Sequence, residues 1–231
     1  MTDVTIRAAD GGNFMGYLAV PGAGKGPGVV VIQEIFGVNA VMRAIADGLA
    51  AQGYLALCPD LFWRQQPGIQ LTDKTDAEWA RAFELYKGFN EAKGVDDLKS
   101  TIAYLRADKR CAGKIGTVGY CLGGKLAYLT ATRTDADCAV GYYGVGIEAA
   151  LAEAANIKRP LMLHIAEKDQ FCPPEAQAKI KASLGGNSKV TLHSYAGMDH
   201  AFARVGGQHY DKASADLANG RTATFFKGNL A

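Results

Sequence analysis

Five cysteines and four histidines carry most of the reactive chemistry in this 231-residue sequence. The cysteines stand at 58, 111, 121, 138 and 172. Their odd number and wide spacing do not read as a disulfide framework, and no CxxC pair suggests a metal site. Core filling is the ordinary fate of such a residue. Cys121 is different. Gly119-Tyr120-Cys121-Leu122-Gly123 fits the G-x-S-x-G nucleophile elbow with a thiol for the hydroxyl. The pattern needs a strand, a strained turn and a helix. The flanking glycines keep bulk away from the turn. The helix N-terminus favours a thiolate, and the Leu122 amide can help hold an oxyanion.

An elbow of this kind also sets an order: nucleophile, then acid, then histidine, each after a later strand. Asp169 follows the apolar run at 160–165, and His200 follows the strand-like run at 189–195. Both are therefore candidates, as orienting acid and as base. Competitors exist for each role. His164 and His193 lie inside predicted strands, and His209 is expected to begin a helix. Glu167 shares the Asp169 loop, and Asp199 reads as a turn residue beside the base.

Two other motifs overlap these residues. Residues 119–125, G-Y-C-L-G-G-K, fit G-x-x-x-x-G-K of a phosphate-binding loop, but Leu126 stands where Ser or Thr would bind magnesium. Residues 144–149 fit G-x-G-x-x-A, a weak signal more simply read as a loop entering a helix.

The elements that must position these residues follow from periodicity. Residues 3–8 and 13–20 flank Asp10-Gly11-Gly12, a hairpin signal. Residues 28–33 form an apolar run without alternation, as a strand covered on both faces should. Helical spacing at 40–51, a strand at 54–58, a long loop, and helices at 76–90 and 93–107 come next. Strands at 115–118, 138–143, 160–165 and 189–195 then alternate with helices at 122–132, 148–155, 174–184 and 209–227. Such alternation demands an α/β fold: a mostly parallel central sheet, opened by an antiparallel N-terminal hairpin, with helices on both faces. No repeat or linker divides the chain, so a single domain over 1–231 is expected. Ligands in such sheets bind at the carboxyl ends of strands, where Glu34, Cys121, Tyr143, Asp169 and His200 fall.

Composition excludes several classes. Hydrophobic residues are 48% and charged residues 21%, which rules out a disordered chain. Lys plus Arg is 25 against 23 Asp plus Glu, so no basic excess points to nucleic acid. Apolar runs are too short to span a membrane, and the N-terminus lacks a secretory pattern. The expectation is a cytoplasmic monomer with no metal and no cofactor.

Taken together, QEIFGVNA at 33–40, CPDL at 58–61, VGYCLGG at 118–124, GYYGVG at 141–146, the Asp169 loop and HAFAR at 200–204 resemble the dienelactone hydrolase (carboxymethylenebutenolidase) family. This is a branch of the α/β-hydrolase superfamily with a cysteine nucleophile. QEIFG and GYCLGG together make the resemblance specific, and it spans nearly the whole chain. It implies a triad of Cys121, Asp169 and His200. It implies that Glu34 takes the thiol proton when substrate binds, and that the amides of Ile35 and Leu122 form the oxyanion hole. Arg204 would bind the substrate carboxylate. Phe36 and Tyr143, read from the residues alone, could line the substrate pocket or fill the core. A second arginine is expected from the helix after the long loop. Spacing from CPDL puts Trp79 there, with Arg81 two residues on. For Arg81 the competing reading is a solvated helix-face charge. Glu34 also stands out on physical grounds, since a carboxylate ending an apolar strand is costly to bury unpaired. An N-cap or buried ion pair would explain it too.

The expected activity is hydrolysis of a small anionic lactone or ester through a thioester acyl-enzyme. Within the same chemistry, a general carboxylesterase or small peptidase is an alternative. From other classes come a nucleotide-binding module using residues 119–125 and an inert scaffold. Membrane and nucleic-acid partners are not expected.

Overall fold

The computed structural model describes residues 2–231; Met1, first residue of the expected domain, lies outside the described residues. The chain forms two compact units, Met1–Gly116 and Thr117–Ala231. In the first, β1 (Thr2–Arg7) and β2 (Asn13–Ala19) pair antiparallel, with Ile6 opposite Phe14. Their turn uses Gly11 at φ 96°, a left-handed conformation that favours glycine. β3 (Gly26–Ile32) pairs parallel with β4 (Leu55–Pro59), and β4 pairs antiparallel with β2. The apolar run of β3 is covered on both faces, since Val29, Val30, Val31 and Ile32 are fully buried. Helices α1 (Ala40–Ala51) and α3 (Glu91–Ala107) pack on these strands, and α2 (Asp76–Lys87) follows the long loop. Side chains cap all three: Asn39, Thr75 and Asn90 accept from the amides of Met42, Glu78 and Lys93.

A polar tie holds the hairpin turn to α3. Arg64 bonds buried Asp97 through two nitrogens, at 2.7 and 3.0 Å, and Asp10 at 2.8 Å. Trp63 Nε1 donates to the same Asp97 carboxylate at 2.9 Å, and its ring stacks on Phe14.

The expected strand at 115–118 is longer. β5 runs Cys111–Tyr120 and passes from the first unit into the second. Its first half was hidden because Ala112, Gly113 and Lys114 are exposed and show no apolar pattern. The second unit continues with α4 (Leu122–Arg133), β6 (Cys138–Tyr142), a 3-10 helix at Ile147–Asn156, β7 (Leu161–Ala166), α5 (Pro174–Leu184), β8 (Val190–Tyr195) and α6 (Lys212–Leu230). β6, β7 and β8 pair in parallel. The strand order is β1-β2-β4-β3-β5-β6-β7-β8, a mixed sheet, mostly parallel after its antiparallel start. The closing helix does not begin at His209. Asp211 caps it by accepting from Ser214 N at 2.7 Å, so His209 precedes the helix. The segment at 148–155 is 3-10 rather than α-helical.

A buried polar network ties α6 to three strands of this unit. Tyr142 Oη meets Thr222 Oγ1 at 2.6 Å, Thr222 meets His164 Nε2 at 3.0 Å, and His164 Nδ1 meets Tyr195 Oη at 2.7 Å. Buried polar groups need such partners. No helix among the described residues is long and apolar enough to cross a membrane.

Candidate active site

Cys121 follows β5 and stands at the N-cap of α4 with φ 56° and ψ −115°. A non-glycine residue in that region is strained and is held there only by its surroundings. Those surroundings are glycine backbone. A Cβ at Gly119 would sit 1.9 Å from Gly123 O, and one at Gly124 would sit 2.4 Å from Tyr142 O and 2.8 Å from Gly144 Cα. A Cβ at Gly144 would in turn lie 2.9 Å from Lys125 N. The first turn of α4 therefore lies backbone-to-backbone on the segment after β6. Cys121 N donates to Tyr142 O at 3.1 Å, and Gly124 N to Cys121 O at 2.9 Å. Both rival glycine motifs are explained here as packing. The amides of Gly124 and Lys125 turn into the helix, bonding Cys121 O, and do not cradle a phosphate.

Asp169 follows β7 and is buried, whereas its competitor Glu167 is exposed. Asp169 Oδ2 meets His200 Nδ1 at 2.7 Å, and Oδ1 accepts from Phe171 N at 2.8 Å. The loop is stitched from α5 by Gln177, whose Nε2 donates to the carbonyls of Ala166, Glu167 and Cys172. His200 follows β8, with its amide donating to Asp199 Oδ1 at 2.7 Å, and the next residue, Ala201, has φ 62°. The Cys121 side chain acts electrostatically on His200, which links the thiol to the imidazole and its carboxylate. Burial alone would push the imidazole down. The Cys121 charge and the Asp169 carboxylate outweigh it and raise His200 to about 10.

The other histidines do different work. His164 is buried in the Tyr195–Thr222 network, and burial, helped by the charges of His193 and Arg221, pushes it down to about 3. His193 stacks on it in β8. His209 is a half-exposed neighbour of Asp199 at 3.7 Å. Burial pushes the thiols of Cys58 and Cys111 up, and burial with the Asp169 and Glu148 carboxylates pushes Cys172 up to about 12. Those three are poor nucleophiles.

Among the described residues, three non-glycine residues have positive φ: Cys121, Tyr143 and Ala201. Tyr143 packs its ring on His200 at 5.1 Å, so all three surround one imidazole. Arg204 lies four residues beyond the histidine, buried and partnered.

Within the first unit, Glu34, Ile35 and Phe36 follow β3 and are buried. Gln33 fixes this stretch: its Oε1 accepts from Leu61 N at 3.0 Å and its Nε2 donates to Glu34 O at 3.3 Å. Phe36 O accepts from Leu71 N at 2.9 Å. Asp60 of CPDL accepts from the amides of Phe62 and Gly68 and so folds the long loop. Trp79 meets Phe36 edge-on at 5.0 Å and stacks on Phe83 at 5.5 Å. Arg81 instead pairs with Glu84 and donates to Gln66 Oε1 at 2.6 Å. Arg81 thus behaves as a helix-face charge, and the position that touches Phe36 carries an indole.

Sequence reasoning missed Phe171 and Gln177. Phe171 is a lone aromatic in a polar loop and Gln177 an ordinary helix residue, so neither had a periodicity or motif to mark it.

A mostly parallel sheet with a strained strand–turn–helix elbow, followed in order by acid and histidine, defines an α/β-hydrolase. The model of the dienelactone hydrolase family matches residues 14–230. The chain belongs to that family. A protein of Azospirillum brasilense, described provisionally as a carboxymethylenebutenolidase, is 53% identical over the full length of both chains. The carboxymethylenebutenolidase of Pseudomonas sp. (strain P51) is 40% identical, covering 97% of this chain and 94% of that one. A crystal structure from Klebsiella pneumoniae, provisionally described as a dienelactone hydrolase, is similar with TM-score 0.85 and 26% identity, covering 98% and 97% of the two chains.

Proposed function

We propose that the chain hydrolyses a small lactone or ester carrying a carboxylate, through a thioester on Cys121. One observation carries this reading: a strained cysteine at a helix N-terminus, acting electrostatically on a histidine whose Nδ1 is held by a buried aspartate. The relatives that bear the name carboxymethylenebutenolidase support the lactone class. With its proton passed to Glu34, the Cys121 sulfur attacks the carbonyl carbon, and negative charge develops on the carbonyl oxygen. The amides of Leu122 and Ile35 are the proposed donors to that oxygen. As the C–O bond breaks, His200 gives its proton to the departing oxygen, which in a lactone stays attached to the acyl group. Water then attacks the thioester, His200 takes its proton, and the thiolate leaves.

The resemblance assigns Glu34 the removal of the thiol proton when substrate binds, and Arg204 the substrate carboxylate. Phe36 and Tyr143 would contact the substrate. Arg81 is the weaker second anchor, because its guanidinium already serves Glu84 and Gln66. The single family match over 14–230 supports the reading of one domain over 1–231. Balanced charge supports a small-molecule substrate and not nucleic acid. A cytoplasmic monomer needing neither metal nor cofactor remains part of the proposal. The test is turnover of dienelactone beside neutral aryl esters, with Cys121→Ala as control. Hydrolysis of the aryl esters alone would reassign the chain to the carboxylesterase reading.

A further inference from the structure

His200 is gripped by more than its hydrogen bonds. Two aromatic rings meet the imidazole steeply, Tyr143 at 5.1 Å and 66° and Phe171 at 4.9 Å and 73°. Asp169 is 2% exposed and His200 5%, yet Phe171 is 36% exposed. About a third of this phenylalanine's surface stays open to solvent, so burial is not the whole account of its presence. Its position is nevertheless tightly specified. Phe171 N donates to Asp169 Oδ1 at 2.8 Å, a turn that spans only Gln170. The following residue is anchored through its carbonyl to Gln177 at 2.8 Å, and Pro173 and Pro174 stiffen the chain into α5. The loop therefore fixes the ring from both sides. One oxygen of Asp169 binds the Phe171 amide while the other binds the imidazole that the Phe171 ring touches.

We propose that Phe171 is a positioning residue, whose ring lies on the solvent side of the Asp169–His200 pair, holds the imidazole in its productive orientation and keeps water from their hydrogen bond. This rests on the triad reading above. The ring needs no contact with substrate for this role. Its effect should therefore fall on turnover and not on binding. Exclusion of water strengthens an electrostatic hydrogen bond, and small misplacements of a base are costly in rate.

The experiment uses Phe171→Ala and Phe171→Tyr in the full chain. Phe171→Ala should lower kcat roughly ten- to a hundredfold with KM nearly unchanged, and Phe171→Tyr should restore it. In proton NMR, the downfield signal of the His200 Nδ1–H should be present in the native chain, lost to water exchange in Phe171→Ala and recovered in Phe171→Tyr. A raised KM with kcat and the signal intact would make Phe171 a substrate-lining residue and overturn the proposal. Unchanged kcat and an unchanged signal would overturn it equally. Should the native chain hydrolyse no ester at all, the proposed function fails. The exchange of the His200 proton still decides the role of Phe171.

Discussion

Asp169 Oδ2 and His200 Nδ1 lie 2.7 Å apart at the ends of two adjacent parallel strands, β7 and β8, whose register sets Ala166 beside Tyr195. The pairing of the strands thus brings the loops after them together. Glu167 shares the first loop but is exposed. Asp169→Asn should keep the fold and lower kcat by about three to four orders of magnitude, because the amide favours the wrong imidazole tautomer. Glu167→Gln should change kcat less than about twofold. Steady-state kinetics on both variants checks the ranking, and the reverse order would move the acid to Glu167.

Stability should fall on both sides of near-neutral pH, for two different histidines. His164 is held at about 3, below its ordinary 6.5, so the unfolded chain takes a proton that the native chain refuses between those values. Stability therefore drops as pH falls through that window. His200 is raised to about 10, so its contribution is complete below 6.5 and is lost as pH rises through 10. Urea midpoints at about pH 4.5, 6.5 and 9.5 should be highest at the middle value, and Asp169→Asn should flatten the alkaline limb. An alkaline limb as steep in Asp169→Asn as in the native chain would detach His200 from it.

Two arginines should separate by substrate charge. Arg204→Met should weaken kcat/KM for an anionic lactone by about 2 to 4 kcal/mol while sparing neutral aryl esters. Arg81→Met should leave the ratio of the two substrates within about twofold, since its partners are Glu84 and Gln66. Equal losses on both substrates in Arg204→Met would make that residue structural.

In the first unit, Asp97 is the buried centre of the tie through Arg64 and Trp63. Asp97→Ala should leave a partly buried guanidinium without its main partner and cost about 3 to 5 kcal/mol. Chemical denaturation measures it, and a loss under about 1 kcal/mol would show that the Arg64–Asp10 pair suffices.

Much of this was legible in the residues. Helices α1 and α5 occupy the ranges their periodicity and flanking residues marked, because Asn39 caps one and Pro173-Pro174 opens the other. The placement of Cys121, Asp169 and His200 after β5, β7 and β8 could be read from the order of strands and helices. The first half of β5 could not, since its exposed residues carry no apolar signal. His164 was legible as a strand histidine, but its bonds to Tyr195 and Thr222 join residues 31 and 58 positions apart. For Arg81 the charge type was visible and its local partners, Glu84 and Gln66, were not. Phe171 acts through a ring contact across 29 residues that no pattern encodes.

The most direct test is to trap the acyl-enzyme. Rapid acid quench during turnover of dienelactone, followed by mass spectrometry, should find the acyl group as a thioester on the peptide carrying Cys121, and iodoacetamide at that residue should abolish both adduct and turnover. Full turnover by Cys121→Ala, or after stoichiometric alkylation of Cys121, would contradict a cysteine nucleophile.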